Sequence, residues 1–380
     1  MAGFRYNTQT ACFCGEGCVK EQGAFIAGHG NKCAVITSRF APGCRNYALE
    51  DVCAVLEEKK IEYIVIDRVQ ENPPVESIVD IADECMSFGT EFIIAIGGGS
   101  AIDSAKAAAL RMKHPTEDPY KVFYGYDGPS ESIRSEADIP LFAIPTTAGT
   151  GAEVTGFAVL TRSDTDTKLS IYPVVFCEAA FLDPRYIRES PLFLLHSGAM
   201  DTLAHGIETY LHNSSNIINR SVAEIGFRLF AGYKDALLEG RLSNEDMQNM
   251  QIASFMMGMA FMQSSTTIPH GMGYPLSHYK RVNHGFACAV FLGEYLCAFK
   301  DRTQVNHIVN ACGFDSAEDF ASYIRSLVSK SMKIEVSTQE LDKWTDDFMK
   351  LDFRLASNPE KLEREDIYGI YKRSLAPWTI

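Results

Sequence analysis

No stretch of this 380-residue chain approaches the roughly 20 consecutive apolar residues that a bilayer span needs. The opening MAGFRYNTQT has neither the basic nor the apolar region of a secretory signal. Basic residues are scarce as well. Thirty-five Lys and Arg stand against 49 Asp and Glu, and the formal charge of -14 repels a phosphate backbone and an anionic lipid surface alike. A cytoplasmic protein with no nucleic-acid and no membrane partner is the expectation. Cysteine is present but lacks a pattern: of eleven, Cys12, Cys14 and Cys18 cluster, yet no CxxC occurs there and no second cluster follows at ligand spacing. Reduced structural thiols are expected rather than a disulfide framework or a cysteine metal site. The remainder, 46% hydrophobic and 22% charged, is globular material for one large domain or two ordinary ones.

From about residue 30 to 185, short β-branched runs alternate with amphipathic stretches, the pattern of a parallel sheet covered by helices. CAVIT (33–37), EYIVI (62–66), FIIAI (92–96) and LFAIP (141–145) are near-continuously apolar, as strands buried on both faces must be. Helical patterns occupy about 46–60, 75–89 and 103–113. After Asp183-Pro184 the β-branched runs thin out, and 196–212, 217–237, 246–264, 303–312, 316–331 and 338–352 carry helical periodicity. The sequence predicts an α/β domain over 1–187 with a parallel sheet and an all-α domain over 188–380.

FIIAI runs directly into Gly97-Gly98-Gly99-Ser100, followed by the strong helix former AIDSAKAAAL. Backbone amides at such a helix start, approached closely because glycine has no side chain, make an anion site suited to a dinucleotide pyrophosphate. A plainer reading makes Ser100 the helix cap and puts Asp103 in the first turn. GxGxxG is absent after the first strand, so the dinucleotide-binding domain is Rossmann-like without that fingerprint. A second loop, PTTAGTG at 145–151, also follows a strand and offers hydroxyls from Thr146, Thr147 and Thr150.

In HSGAMDTLAHGIETYLH, Asp201 and His205 are four residues apart and share a helix face. His270 and His284 bracket the Gly- and Pro-rich stretch of TTIPHGMGYPLSHYKRVNHG. One carboxylate and three imidazoles suit Fe²⁺ or Zn²⁺ with a position left for substrate or water. His196, His212 and His278 lie nearby, and spacing alone leaves packed or surface histidines as the alternative. Glu208, on the same face, is read equally as a group orienting a ligand or as an ordinary exposed carboxylate.

Together these segments resemble the iron-containing, or group III, alcohol dehydrogenases of the dehydroquinate-synthase-like fold, over about residues 12 to 300. GGGSAIDSAK (97–106) is similar to that family's first cofactor loop, PTTAGTGAEVT (145–155) to its second, and the stretches with Asp201, His205, His270 and His284 to its metal site. The resemblance assigns Gly98, Gly99, Ser100, Asp103, Thr146, Thr147 and Thr150 to the cofactor, places Asn72 of DRVQENPP near it, and brings Lys168 of TDTKLS to its ribose. It implies an NADP- or NAD-linked alcohol dehydrogenase or aldehyde reductase. Hydride would pass between the nicotinamide and a small alcohol or aldehyde bound to Fe²⁺ or Zn²⁺, in a homodimer or higher homo-oligomer.

Two positions depart from the family pattern. NAD-preferring relatives carry an aspartate after the first strand, where this chain has Thr37-Ser38-Arg39; Ser38 beside an arginine does not repel a 2′-phosphate, which favours NADPH. Four residues after His270, where relatives carry another histidine, stands Tyr274, a phenol that titrates near 10 when unperturbed. The proton-transfer role then falls to Tyr274 or His278. A dehydroquinate-synthase-like lyase is the rival within the fold, but the ligand-bearing segments offer only Lys280 and Arg281 for an acidic phosphorylated sugar. A catalytically silent relative is the more distant alternative.

Overall fold

A computed structural model describes residues 3–379 apart from 5, 41–44, 126–127, 129–131 and 133. The chain divides into one compact unit, Asn7–Ser190, and a second made of Pro191–Ile380 with the N-terminal residues up to Tyr6. The first is built on a six-stranded sheet of β1 (Ala11–Cys14), β2 (Lys32–Thr37), β3 (Glu62–Ile66), β4 (Phe92–Gly97), β5 (Leu141–Pro145) and β8 (Ala179–Leu182). Every pairing in it is parallel, in the order β1-β8-β5-β4-β2-β3. An antiparallel pair, β6 (Val159–Arg162) and β7 (Thr167–Ser170), stands apart.

The strands are apolar throughout because each face has its own core. Ala34, Ile36, Ile93, Ala95, Leu141 and Ala143 pack with Val75, Ile78 and Ile81 of the helix Val75–Phe88 and with the helix Gly99–Lys113. The alternate residues Cys33, Val35, Ile94, Ile96, Phe142 and Ile144 pack with Val52, Val55 and Leu56 of the helix Tyr47–Glu58. The four strands expected from the sequence appear within a residue of their expected bounds. Strands β1 and β8 were not expected: each has four residues, and β1 (ACFC) is an edge strand with mostly exposed residues. Chain order reverses at β2, which has β3 on one side and β4 on the other. In open α/β sheets such a switch point opens a crevice at the strand carboxyl ends, here the ends of β2 and β4.

One expectation needs correction. The helix after β4 starts at Gly99, not near 103, and its N-cap is Gly98 with no side-chain cap. Ser100 therefore lies inside the first turn and is not the cap. Asp103 lies one turn further in, where its carboxylate accepts from the amide of Val159 at 2.9 Å, tying the helix to β6. Lys106 on the same helix is fully buried. Its ammonium donates to the carbonyls of Ala152 and Thr155, both at 2.6 Å, and of Phe157 at 2.8 Å, which fastens the loop after β5 from inside.

The second unit is helical. Leu192–Leu211, Ile217–Glu239 and Asn244–Phe261 come first, and Thr303–Ala311, Ala317–Val328 and Thr338–Phe348 later, close to the periodic segments expected from the sequence; Arg364–Ser374 follows and was not expected. Sequence reading did not mark the helices Ile268–Tyr279 and His284–Ala289 between them. Their starts and stops are chemically explicit elsewhere: Ser243 with Asp246, and Ser337 with Glu340, form capping boxes. No helix among the described residues is long and apolar enough to cross a membrane. None of the ten described cysteines, Cys12, Cys14 and Cys18 among them, is in a disulfide; Cys44 lies outside the described residues.

Candidate metal centre and cofactor loops

Asp201, His205 and Glu208 sit on the helix Leu192–Leu211, which is buried from Leu195 onward apart from Gly198. Two glycines let the neighbouring helices come close enough to join them. A Cβ on Gly285 would stand 1.9 Å from the Ser197 carbonyl oxygen, and one on Gly273 would stand 2.8 Å from that of Ala287. The helix His284–Ala289 is thereby wedged between Leu192–Leu211 and Ile268–Tyr279. Asp201 Oδ1 ends 3.7 Å from His270 Nε2 and 3.8 Å from His284 Nε2. With Cys288 Sγ, the donor atoms of Asp201, His270 and His284 all lie within 4.8 Å of one another. His205 joins through its ring, stacked at 4.8 Å on His270 and at 4.6 Å on Phe261.

The electrostatics are those of a site built around positive charge. Asp201 is 5% exposed, and neither its Oδ1 nor His270 Nε2 has a hydrogen-bond partner. Burial pushes the Asp201 carboxyl up, partly offset by His284 and His270. Burial, reinforced by His205, pushes His270 well down, so that ring is neutral and able to ligate. Of the two readings of Glu208 the structure selects the first: it is fully buried, accepts from the Thr267 amide at 2.6 Å, and hydrogen-bonds His270 Nδ1. That contact leaves His270 Nε2 turned toward Asp201, and burial pushes the Glu208 carboxyl up to about 7. The His284 side chain is 58% exposed and forms the open side. His196 and His212 prove to be structural: His196 Nε2 contacts the Leu237 carbonyl at 2.9 Å, and His212 Nδ1 accepts from the Ser214 amide at 3.0 Å.

In the α/β unit the two cofactor loops meet. Gly98 faces Thr147 and Gly99 faces Thr150, with room for only 3.2 and 3.0 Å from an added Cβ, and the Thr146 amide donates to the Gly97 carbonyl at 3.0 Å. Asn72 adopts a left-handed conformation (φ 55°); its amide donates to Ser100 Oγ at 3.2 Å and its carbonyl accepts from Thr161 Oγ1 at 2.9 Å. Lys168, exposed on β7, pairs across the ribbon with Thr161. Asn72 thus links Ser100, in the first turn of the helix Gly99–Lys113, to Thr161 of the ribbon that carries Lys168. Ser38 follows β2 directly, and the exposed Arg39 reaches Asp67 at 3.2 Å. Tyr274 and His278 follow His270 at successive turns of one helix, with their rings stacked at 5.3 Å and Tyr274 40% exposed. Cys288 was missed by sequence reasoning, although its spacing of four from His284 carried the same signal as Asp201 and His205.

Comparison with known proteins agrees with this architecture. Residues 9–184 match the family model described as iron-containing alcohol dehydrogenase, and residues 196–375 match the model of that family's C-terminal part. Alcohol dehydrogenase 4 of Saccharomyces cerevisiae is 30% identical over 382 residues, covering 95% of this chain and 96% of its own. An NADPH-dependent butanol dehydrogenase of Clostridium saccharobutylicum is 28% identical, over 85% of this chain and 87% of its own. The crystal structure of an iron-containing alcohol dehydrogenase from Thermotoga maritima superposes with a TM-score of 0.84 at 27% identity, covering 98% of this chain and all of that one. The chain belongs to the iron-containing alcohol dehydrogenase family, oxidoreductases that act on CH–OH groups.

Proposed function

We propose that the protein is a metal-dependent alcohol dehydrogenase or aldehyde reductase that works with NADP or NAD, favours NADPH, and takes a small alcohol or aldehyde as substrate. The proposed ligands of the divalent cation, Fe²⁺ or Zn²⁺, are Asp201, His205, His270 and His284. The observation that carries this reading is the buried, unpartnered pair Asp201 Oδ1 and His270 Nε2. Buried polar atoms left without partners are costly, and a shared cation is the chemistry that satisfies an acid and two imidazoles at once. When bound, the cation supplies Lewis-acid polarisation of the substrate C–O bond, and the nicotinamide gives or takes the hydride.

The chain's own part is binding and alignment. The helix start at Gly98, Gly99 and Ser100 offers amides to a pyrophosphate, with Thr146, Thr147 and Thr150 closing the other side. Asn72 and Lys168 take the ribose side of that helix start, and Asp103 holds the helix to β6. Ser38 sets no carboxylate of its own against a 2′-phosphate, which Arg39 would neutralise by leaving its exposed pairing with Asp67, in keeping with the NADPH-dependent relative. Tyr274 and His278 are the proposed proton-transfer groups. Replacing Tyr274 with Phe is expected to lower kcat and alter its pH profile; an unchanged profile removes Tyr274 from that role.

The decisive experiment follows NADPH absorbance at 340 nm with a panel of short aldehydes, before and after anaerobic chelation and reloading with Fe²⁺ or Zn²⁺. Turnover lost on chelation and restored by reloading is expected. Full activity in metal-free protein overturns the reading. A higher kcat/KM with NADH than with NADPH overturns the cofactor preference alone.

A further inference from the structure

We propose that Cys288 is itself a ligand of the cation, its thiolate joining Asp201, His205, His270 and His284 as a soft sulfur in a shell otherwise made of oxygen and nitrogen. The inference rests on the reading of this centre as a divalent-metal site. Cys288 Sγ lies 3.8 Å from His284 Nε2 and within 4.8 Å of the donor atoms of Asp201 and His270. Around a cation with bonds of about 2.0 Å to nitrogen or oxygen and about 2.3 Å to sulfur, neighbouring donors at near-tetrahedral angles stand about 3.3–3.5 Å apart. Asp201 Oδ1, at 3.7 and 3.8 Å from the two imidazole nitrogens, and Cys288 Sγ, at 3.8 Å from His284 Nε2, are a few tenths of an ångström wider than that.

Two further observations point the same way. Asp201 Oδ1 and His270 Nε2, on different helices, are each on side chains more than nine-tenths buried, have no hydrogen-bond partner, and face the space that the sulfur also faces. Moreover, the helix His284–Ala289 presents His284 and Cys288 one turn apart, as Leu192–Leu211 presents Asp201 and His205. The sulfur of this fully buried cysteine sits against the His284 ring, 3.9 and 3.8 Å from its two nitrogens, and within 4.8 Å of the donors of Asp201 and His270. On binding, the S–H bond breaks, the sulfur keeps the electron pair and bonds to the cation, and the proton leaves to solvent with no change of oxidation state. A thiolate in the shell favours Zn²⁺ over Fe²⁺.

The test uses full-length protein, demetallated and loaded anaerobically with Co²⁺, then read by elemental analysis and near-ultraviolet absorption. The wild type is expected to hold about one cobalt per chain and to show sulfur-to-cobalt charge transfer. Cys288→Ser is expected to retain cobalt, lose that band, and bind Zn²⁺ on the order of 10–100-fold more weakly, with Fe²⁺ less affected. Cobalt bound without the band, or a band unchanged in Cys288→Ser, overturns sulfur ligation and leaves the metal centre standing. Failure of the wild type to retain any cobalt overturns both. X-ray absorption of the wild-type zinc form needs no variant: a sulfur scatterer at about 2.3 Å is expected, and its absence overturns the proposal.

Discussion

Glu208 illustrates how a residue with no place among the metal-binding donors can govern them. Its carboxylate accepts the Thr267 amide, which fixes it in place, and holds His270 through Nδ1, so the ring cannot turn without breaking that contact. Glu208→Ala is expected to weaken cation binding roughly 10–100-fold with the helical circular dichroism unchanged, and Glu208→Gln to recover part of the loss. Isothermal titration with Zn²⁺ checks this; equal affinity in both variants and wild type would remove the orienting role. Glu153 gives a second residue-scale prediction. It is 2% exposed, and burial pushes its carboxyl up to about 7, well above the ordinary carboxylate range. The folded state therefore binds that proton more tightly than the unfolded chain, so its contribution to stability is complete below about pH 4.5 and is lost as pH rises through 7. The Tm of the wild type should fall relative to that of Glu153→Gln between pH 5 and 8, by at most about 1.4 kcal/mol of stability per pH unit. Parallel curves would show that another group governs the slope. At this scale Asp201 and His205 were legible because one helix carries both at a spacing of four. His270 was named as a candidate ligand and Glu208 left between two readings; the contact that joins them was not legible, because they stand 62 residues apart in sequence on different helices.

Elements were legible where burial writes a period into the sequence. Strands β2, β4 and β5 declare themselves because both faces are covered, and β3 because its run is apolar although it lies at the edge, whereas β1 and β8 offer four residues each, too few for a pattern to register. The helix Ile268–Tyr279 escaped for a different reason. Gly271, Gly273 and Pro275 erase its propensity, yet Gly273 is what lets the next helix touch it. Gly285 plays the same part toward Ser197 with less tolerance still. Gly285→Ala is expected to force the two helices apart, separate His284 from Asp201, and lower the cation content of the purified protein at least tenfold, with a fall in Tm of several degrees. Elemental analysis and a thermal melt check this. Wild-type metal content would mean that the helices can yield at Ser197 without disturbing the centre.

At the scale of the whole molecule, fold class followed from the alternation of β-branched and amphipathic segments before residue 185 and from the thinning of β-branched runs among helical ones after it. Sequence periodicity cannot say which side chains meet across helices, and the place of Cys288 became visible only from the packing. The proposed cation would stabilise the helical unit in particular, because its donors come from three separate helices of that unit. Saturating Zn²⁺ or Fe²⁺ is expected to raise the Tm of demetallated protein, and 100 times the dissociation constant corresponds to about 2.7 kcal/mol. A Tm indifferent to metal would contradict binding linked to folding.

The ammonium of Lys106, gripped by three carbonyls, has a kinetic corollary. Under the proposed function, a nucleotide arriving at the threonine loop would find the segment that continues it already fastened at Ala152, Thr155 and Phe157, so capture would proceed at the pace of diffusion and orientation, with little entropy surrendered to ordering that backbone.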